Sequence, residues 1–265
     1  MRKLSLIFLL ALLTACSSTT QPVAHEHPVG VLYDRAMNEM ANGEYDRAAK
    51  EFDQVDLQHP YSPWANKAQI MSAFASYRGH HYDEAIVAAQ RYIQLHPGDK
   101  DVAYAYYLVA NCYYDQIIDV GRDQRITELA LKALEEVVRR FPKSPYARDA
   151  RLKIGLARDH LAGKDMAIGR FYERRGEYIA AIGRFRTVVE KYQTTTQVPE
   201  ALERLTECYL ALGITDEAET AAAVLGHNFP GSPWYARAYQ LLTGAHLTPV
   251  AHQGSWLSKA WHTIL

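Results

Sequence analysis

The sequence has few cysteines and no surplus of either charge. Cys112 and Cys208 are the only two cysteines after Cys16. A disulfide between them is possible in an oxidising compartment. They lie 96 positions apart (208 − 112) in apolar helical contexts, which favours two buried free thiols. Lysine and arginine number 29 and aspartate and glutamate 30, for a formal net charge of −1. This balance does not indicate a nucleic-acid-binding protein, which normally has a basic surplus.

The motifs of common enzyme classes are also missing. The chain has no His-Glu-x-x-His, no Gly-x-Ser-x-Gly and no phosphate-binding glycine loop. Its 11 histidines are scattered. Acidic pairs such as Asp83-Glu84 stand at predicted helix starts, where the helix dipole accounts for them. His25-Glu-His27 lacks a third ligand and a rigid scaffold. We therefore expect no catalytic residue, no metal site and no cofactor.

No hydrophobic run is long enough to cross a bilayer as a mature helix. The run from Leu4 to Leu13 follows the basic residues Arg2 and Lys3 and fits a secretory signal peptide. The next residues complete a tetrad, Leu13-Thr14-Ala15-Cys16, that resembles the bacterial lipobox. The resemblance implies that Cys16 becomes the mature N-terminus and carries lipid. The alternative is ordinary cleavage after Ala15, with Cys16 a free thiol.

One short unit recurs five times along the rest of the chain. Each copy has a turn and then a small residue, and in four copies a proline follows twelve positions after that residue. Two pairs of copies are spaced by 37 residues (85 − 48 and 218 − 181), close to the roughly 34-residue period of tetratricopeptide (TPR) repeats. The turn reverses the chain, the small residue lets two helices approach, and the proline ends the second helix. The copies are centred on Ala48, Ala85, Ala130, Ala181 and Ala218.

A hairpin of this kind leaves an apolar face that only a neighbouring hairpin can cover. The pattern therefore predicts an all-α fold: a TPR-type α-solenoid of about five helix-hairpin repeats in a right-handed superhelix. Ser62, Ser144 and Ser232, each followed by proline and an aromatic residue, are expected to cap helices. The predicted helix pairs are about 30–42 with 44–58, 63–79 with 82–95, 178–192 with 199–212, and 215–227 with 233–243.

Two stretches depart from the repeat. Between Ala85 and Ala130 the spacing is eight residues longer than 37, and the surplus falls at 117–124, a predicted loop. The stretch 146–175 is too long for one ordinary helix. It is expected to form either one long bent helix or two short helices separated near Gly163.

The domain organisation follows from these features. Residues 1–15 are predicted to be a signal peptide and 16–30 a lipidated, flexible tether. Residues 31–142 would hold repeats 1–3, and 143–244 repeats 4–5 with a capping helix. The tail, 245–265, can form a short amphipathic helix that either docks on a partner or membrane surface or caps the end of the solenoid.

Tyrosine is concentrated in the first half of the chain. Of 18 tyrosines, 11 lie between Tyr33 and Tyr114. Tyrosine offers a large, rigid contact area with a polar tip, so several of these rings are candidates for a peptide-binding groove. The alternative is that they only pack the repeats. The candidate residues are Tyr33, Tyr61, Trp64, Tyr77, Tyr104 and Tyr107.

Together these residues resemble the BamD family, also called ComL or YfiO. The resemblance covers roughly residues 13–243. It is carried by the lipobox, the repeats, the Ser-Pro-aromatic linkers and the interruption Asp119-Val-Gly-Arg122-Asp123-Gln124. The most specific parts are Asp159-His160-Leu161-Ala162 and the run from Tyr172 through Gly176-Glu-Tyr178 to Arg184.

The resemblance implies a non-catalytic adaptor lipoprotein of the outer-membrane β-barrel assembly (BAM) complex, anchored at the periplasmic face. Its partners would be a BamA-like barrel subunit with POTRA domains, other BAM lipoproteins and the targeting strands of unfolded outer-membrane proteins. Arg184 occupies the place of an arginine that pairs with an acidic residue of the POTRA domain. The alternatives are a solvated surface charge at Arg184 and, for the whole chain, a periplasmic TPR scaffold for envelope or division proteins.

Overall fold

A computed structural model describes residues 27–262, and within that range every regular element is an α-helix. The all-α prediction is therefore confirmed. None of these helices combines the length and the apolar character needed to cross a bilayer. The helices are α1 Val29–Ala41, α2 Tyr45–Gln58, α3 Pro63–Arg78, α4 Tyr82–Leu95, α5 Val102–Tyr114, α6 Arg125–Arg140, α7 Pro145–Arg174, α8 Tyr178–Lys191, α9 Val198–Ala211, α10 Thr215–Asn228, α11 Pro233–Gly244 and α12 Trp256–His262.

Consecutive helices pack as hairpins, and the hairpins stack. The five pairs run from α1 with α2 to α9 with α10, and α11 packs on both α9 and α10. The first helices of neighbouring hairpins also meet, as α1 with α3, α3 with α5, and α5 with α7. This arrangement is the predicted TPR-type solenoid. The helix pairs proposed from the sequence end within one residue of the observed bounds.

The turn inside four of the hairpins has a left-handed backbone. Gly43, Gly176 and Gly213 have φ values of 79°, 74° and 72°, and His80 occupies the same place in the second hairpin at 62°. A left-handed residue just after a helix ends the helix and reverses the chain, and glycine adopts that conformation without steric cost. The predicted turns are therefore confirmed.

Small residues lie where the helices approach most closely. Ala48, Ala85, Ala181 and Ala218 are fully buried. Side chains four residues later on the same helix face are buried with them, including Phe185. The three predicted serine caps are also confirmed. Each serine side chain accepts a hydrogen bond from a backbone N–H in the first turn at 3.2 Å, and each is followed by proline at the first helical position.

The stretch that begins at Pro145 is one helix of 30 residues that runs through Gly163 without a break. Gly163 lets a neighbouring loop pack closely against the helix. A Cβ there would lie 3.4 Å from Val120 Cγ1 in the loop that joins α5 and α6. Lys164 Nζ donates to the carbonyl oxygen of Gly121 at 2.9 Å. The extra residues of the third repeat therefore pack against α7.

The tail folds back on the last hairpins. Leu257 is fully buried, and Trp256 Nε1 donates to Tyr209 Oη at 2.8 Å. Ser255 Oγ donates to Glu217 at 2.6 Å, and α12 packs on α10. We call residues 245–260 the tail strap. Of the two interpretations left open by the sequence, these contacts favour capping of the stack.

Both thiols that the structure describes are buried and free. Burial raises the pKa of the Cys112 thiol to about 12 and raises the pKa of Cys208 further. The prediction of two free buried cysteines is confirmed. Cys16 lies outside the described residues.

The contact between α7 and α8 gives a stability test. A Cβ on Gly169 would lie 2.4 Å from Cε1 of the buried Phe185 ring. We expect Gly169→Ala to lower the free energy of unfolding by about 1–3 kcal/mol through overpacking. Gly155→Ala is the matched control, because Gly155 is on the same helix with open space around it, and alanine should stabilise it by about 0.5–1 kcal/mol. Urea unfolding followed by circular dichroism measures both, and equal effects of the two variants would contradict the packing argument.

Candidate protein-binding surfaces

One side of the stack is formed by the first helices of the hairpins: α1, α3, α5, α7 and α9, followed by α11. We call it the first-helix face. Its N-terminal half is aromatic and its C-terminal half is charged.

In the N-terminal half, rings from α3, α5 and α7 form one connected row. Phe74 lies 6.3 Å from both Tyr77 and Tyr104, measured between ring centroids. The Tyr146 ring lies 5.4 Å from Tyr104 and 5.2 Å from Tyr107. We call these five residues the aromatic row. The structure thus brings together three of the predicted groove residues, Tyr77, Tyr104 and Tyr107.

Hydrogen bonds hold two hydroxyls of the aromatic row. Tyr77 Oη donates to Asp115 Oδ2 at 2.6 Å, and Tyr107 Oη donates to Asp149. Burial raises the pKa of Tyr77, and the hydrogen bond from Tyr107 lowers the pKa of the Asp149 carboxyl. The shifts favour a neutral Tyr77 hydroxyl as donor and an ionised Asp149 carboxylate as acceptor. These bonds hold the rings in place, as a rigid binding surface requires.

The other predicted groove residues belong to a different place. Tyr33 is only 5% exposed and packs between Phe52 and Trp64, at centroid distances of 5.3 and 4.8 Å. Trp64 is 41% exposed and Tyr61 is fully exposed. Tyr33 therefore supports Trp64 from the core and offers little surface to a ligand.

Two members of the aromatic row were not predicted. Tyr146 had a signal, because it follows Ser144-Pro145 at a helix start as Trp64 follows Ser62-Pro63. Phe74 had only its three-residue spacing from Tyr77. That spacing does not distinguish a surface ring from a core ring.

In the C-terminal half, α7 and α9 meet through charges. Arg204 lies among four glutamates, and Arg170 donates to one of them, Glu200, at 3.0 Å. Burial raises the pKa of Glu173 to about 7, and the nearby Arg204 guanidinium only partly offsets this. No sequence pattern indicated the cluster, since its members come from two helices. The distances from Arg204 are 3.3 Å to Glu173, 3.5 Å to Glu200, 3.6 Å to Glu203 and 3.3 Å to Glu207.

Arg184 lies on α8, outside the first-helix face. Its side chain is 46% exposed, and Nη1 is 3.1 Å from Asp165 Oδ1 on α7. The same helix exposes Ile179 at 78%, and the space next to Gly183 is open. We call Ile179, Gly183 and Arg184 the α8 surface. It offers a guanidinium and an exposed apolar side chain on one helix.

Among the described residues, one group has donors close enough for a metal ion: Asp216, Glu219 and His252, with ligand atoms within 4.8 Å of one another. His252 Nε2 lies 2.7 Å from Glu219 Oε2, and the backbone N–H of His252 donates to Thr220 Oγ1 at 3.1 Å. These contacts attach the tail strap to α10.

The family model described as "YfiO: Outer membrane lipoprotein" matches residues 25–225. Proteins called "Outer membrane protein assembly factor BamD" are similar over most of the chain. The protein of Caulobacter vibrioides is 50% identical over 227 residues, covering 86% of this chain and 74% of that protein. The protein of Rickettsia prowazekii is 44% identical over 215 residues, covering 81% and 86%.

Among solved structures, the TPR2AB domain of yeast Sti1 in its pHSP90 complex has a TM-score of 0.43 and 12% identity, covering 82% of this chain and 84% of that chain. A thermophilic TPR protein of Thermus thermophilus has a TM-score of 0.37 and 20% identity, covering 82% and 100%. Both likenesses are distant, so the fold assignment is based on the helix packing described above.

The charged half of the first-helix face predicts a pH dependence of stability. The pKa of Glu173 is about 7 in the folded chain against an ordinary value of 4.5. Between these values the folded chain keeps a proton that the unfolded chain releases, so the free energy of unfolding falls as pH rises. Glu173→Gln cannot ionise and should escape this loss. Its stability relative to the wild type should rise by about 1–3 kcal/mol between about pH 5 and pH 8.

Urea unfolding over this pH range measures the difference. Glu207→Gln is the control, because it removes another Arg204 partner at a more exposed site, 43% against 8%. Parallel stability curves for Glu173→Gln and the wild type would show that the glutamate keeps an ordinary pKa.

Proposed function

The chain belongs to the BamD (YfiO) family of outer-membrane lipoproteins, and from this premise we propose that it is a non-catalytic adaptor with two separate docking surfaces. Its role is that of an outer-membrane protein assembly factor of the BAM complex. The observation that carries the proposal is the family match over residues 25–225, which includes the aromatic row and the α8 surface. Other BAM lipoproteins are further proposed partners.

The α8 surface is the proposed contact for the POTRA region of a BamA-like barrel subunit. Arg184 pairs with Asp165 in the free chain, and its side chain is 46% exposed while that of Asp165 is only 13% exposed. The guanidinium is therefore the accessible member of the pair, and its exposed side can meet a carboxylate of the partner. A planar guanidinium also suits bidentate pairing with a carboxylate. Ile179, 78% exposed, supplies an apolar contact on the same helix.

The aromatic rings of the N-terminal hairpins are the proposed contact for targeting strands of unfolded outer-membrane proteins, which end in an aromatic residue. Aromatic pairs gain about 0.5–1.5 kcal/mol beyond the area they bury. The aromatic row offers rings held by hydrogen bonds, and Tyr61 and Trp64 offer exposed rings at the start of α3. An unfolded strand loses conformational freedom when it binds, so a rigid surface lowers the total ordering cost.

We further propose that lipid on Cys16 anchors the chain at the periplasmic face of the outer membrane. Residues 1–15 would be removed as a signal peptide and 16–30 would serve as the tether. Several acyl chains on one residue would hold it firmly, since each buried methylene contributes about 0.8 kcal/mol. Residues 31–142 and 143–244 would then present the two docking surfaces, and the tail from 245 would close the stack.

The α8 surface is tested by charge reversal. We expect Arg184→Glu to reduce capture of the barrel subunit by about tenfold in pull-downs from detergent-solubilised outer membrane, because the variant repels the acid it should bind. Asp165→Asn is the matched control. It breaks the same internal pair and keeps the guanidinium, so it should capture at least as much as the wild type.

Circular dichroism should show unchanged helical content in both variants. Undiminished capture by Arg184→Glu would remove the arginine from the interface. Equal losses in Arg184→Glu and Asp165→Asn would mean that the internal pair supports the fold and does not itself bind the partner.

The exposed ring of Tyr61 allows a second test. Its side chain is fully exposed, so Tyr61→Ala should leave the melting temperature unchanged. We expect it to weaken binding of a peptide from the C-terminal strand of an outer-membrane barrel protein by about threefold to tenfold, the loss of one aromatic contact. Tyr239→Ala, an exposed tyrosine on α11, is the control. Fluorescence anisotropy measures both, and equal affinities for the two variants would place the peptide elsewhere.

A further inference from the structure

The two halves of the solenoid share one register. The first residues of α2 and α8 are Tyr45 and Tyr178, 133 positions apart (178 − 45), and the last residues of these helices keep the same offset (191 − 58). Helices α4 and α10 share it at both ends (215 − 82 and 228 − 95), and α3 and α9 share it at their ends (211 − 78). Each residue of α2 and α4 thus has an equivalent 133 positions later.

In the second half, the tail strap fills the groove that α8 and α10 form above α9. The Arg186 guanidinium lies 4.3 Å from the Trp256 ring centroid, and Trp256 Nε1 donates to Tyr209 Oη. Glu217 accepts from Ser255 Oγ, and Thr220 Oγ1 accepts from the backbone N–H of His252. All three helices of the groove therefore contribute to holding the strap.

In the first half, the equivalent groove is open. Helices α2 and α4 enclose a cavity of about 980 Å³ above α3. The four positions that hold the strap all have equivalents in its lining. Arg186, Tyr209, Glu217 and Thr220 correspond to Asp53, Ser76, Glu84 and Val87.

The open groove differs from the filled one in charge and in size. Where the strap stacks an indole on Arg186, the open groove presents the Asp53 carboxylate, and serine at 76 leaves more room than Tyr209. Five acids and two bases line it, for a formal balance of −3 (2 − 5) with His81 neutral. The charged lining residues are Asp46, Asp53, Asp56, Asp83, Glu84, Lys50 and Arg91.

Only some of the lining carboxylates have partners within the part of the chain that the structure describes. Asp56 accepts from Gln69 at 2.7 Å and lies 3.5 Å from Arg91. Asp46 lies 2.8 Å from His81 Nε2. Asp53 is exposed and makes no hydrogen bond or ion pair within residues 27–262.

Apolar surface accompanies the free carboxylate. Leu57 on α2 and Val87 on α4 are 73% and 67% exposed on opposite walls of the groove. Such walls suit a segment that carries an apolar side chain close to a charged one.

We propose that the groove between α2 and α4 binds a short segment of a partner protein in which an arginine or lysine lies next to an apolar side chain. The segment lies where the tail strap lies in the second half, with its basic side chain on Asp53 in place of Trp256 on Arg186. Charge complementarity selects this occupant over the tail of a second copy, because the tail presents an indole to a groove that lacks both Arg186 and Tyr209. The site is separate from the α8 surface and the aromatic row.

The test uses the mature full-length chain and two fluorescent peptides. One has the sequence of residues 252–260, and the other is the same peptide with Trp256→Arg. We expect the arginine peptide to bind the wild-type chain about tenfold more tightly than the tryptophan peptide. Asp53→Arg should reverse this preference, weakening the arginine peptide about tenfold. Asp34→Arg, at an exposed acid on α1 outside the groove, should leave both affinities unchanged.

Anisotropy titration measures the affinities, and amide hydrogen exchange should show the arginine peptide protecting α2 and α4. The proposal is wrong if the arginine peptide binds wild-type and Asp53→Arg chains equally, or if it fails to bind the wild type below about 1 mM. Tighter binding of the tryptophan peptide to the wild type would indicate exchange of tails between copies and would also overturn it. A loss of barrel-subunit capture by Arg184→Glu would not change peptide binding in the groove between α2 and α4. The two proposals can therefore fail independently.

Discussion

Close approach of paired helices at an alanine is the constraint on which the stack depends. Ala48, Ala85, Ala181 and Ala218 are fully buried, and a larger side chain at any of them would push the two helices of a hairpin apart. Because a single hairpin cannot cover its own apolar face, each one is stable only against its neighbours. The stacking of hairpins then determines which surfaces stay uncovered. One is lined by first helices, and others are grooves between second helices.

Local rules account for most of the fold that the sequence predicted. Gly43, Gly176 and Gly213 mark reversals because glycine adopts a left-handed backbone freely, and serine before proline marks helix starts because the serine oxygen caps the first turn. The role of Gly163 was ambiguous in the sequence. A glycine can end a helix or leave room for a neighbour, and the deciding contact with Val120 comes from a distant loop.

The surfaces were less predictable, because they depend on pairs that are far apart in sequence. Tyrosine enrichment predicted a groove in the first half of the chain, but Tyr33 lies in the core, and Phe74, which was not predicted, belongs to the aromatic row. Hydroxyl partners such as Asp115 for Tyr77, 38 positions away, have no local pattern. The glutamates around Arg204 read as ordinary helix-surface charges until α7 and α9 are placed side by side.

The uninterrupted course of α7 has a consequence for both proposed docking surfaces. Its first turns carry Tyr146 and Asp149, which contact Tyr107, and its later turns carry Asp165, which holds Arg184. At about 1.5 Å per residue, this rod connects points that are tens of ångströms apart. Both proposed docking surfaces therefore involve side chains of one continuous helix. If, as proposed, the tyrosines bind cargo and Arg184 binds a subunit, thermodynamic reciprocity requires that each ligand change the affinity for the other by the same factor.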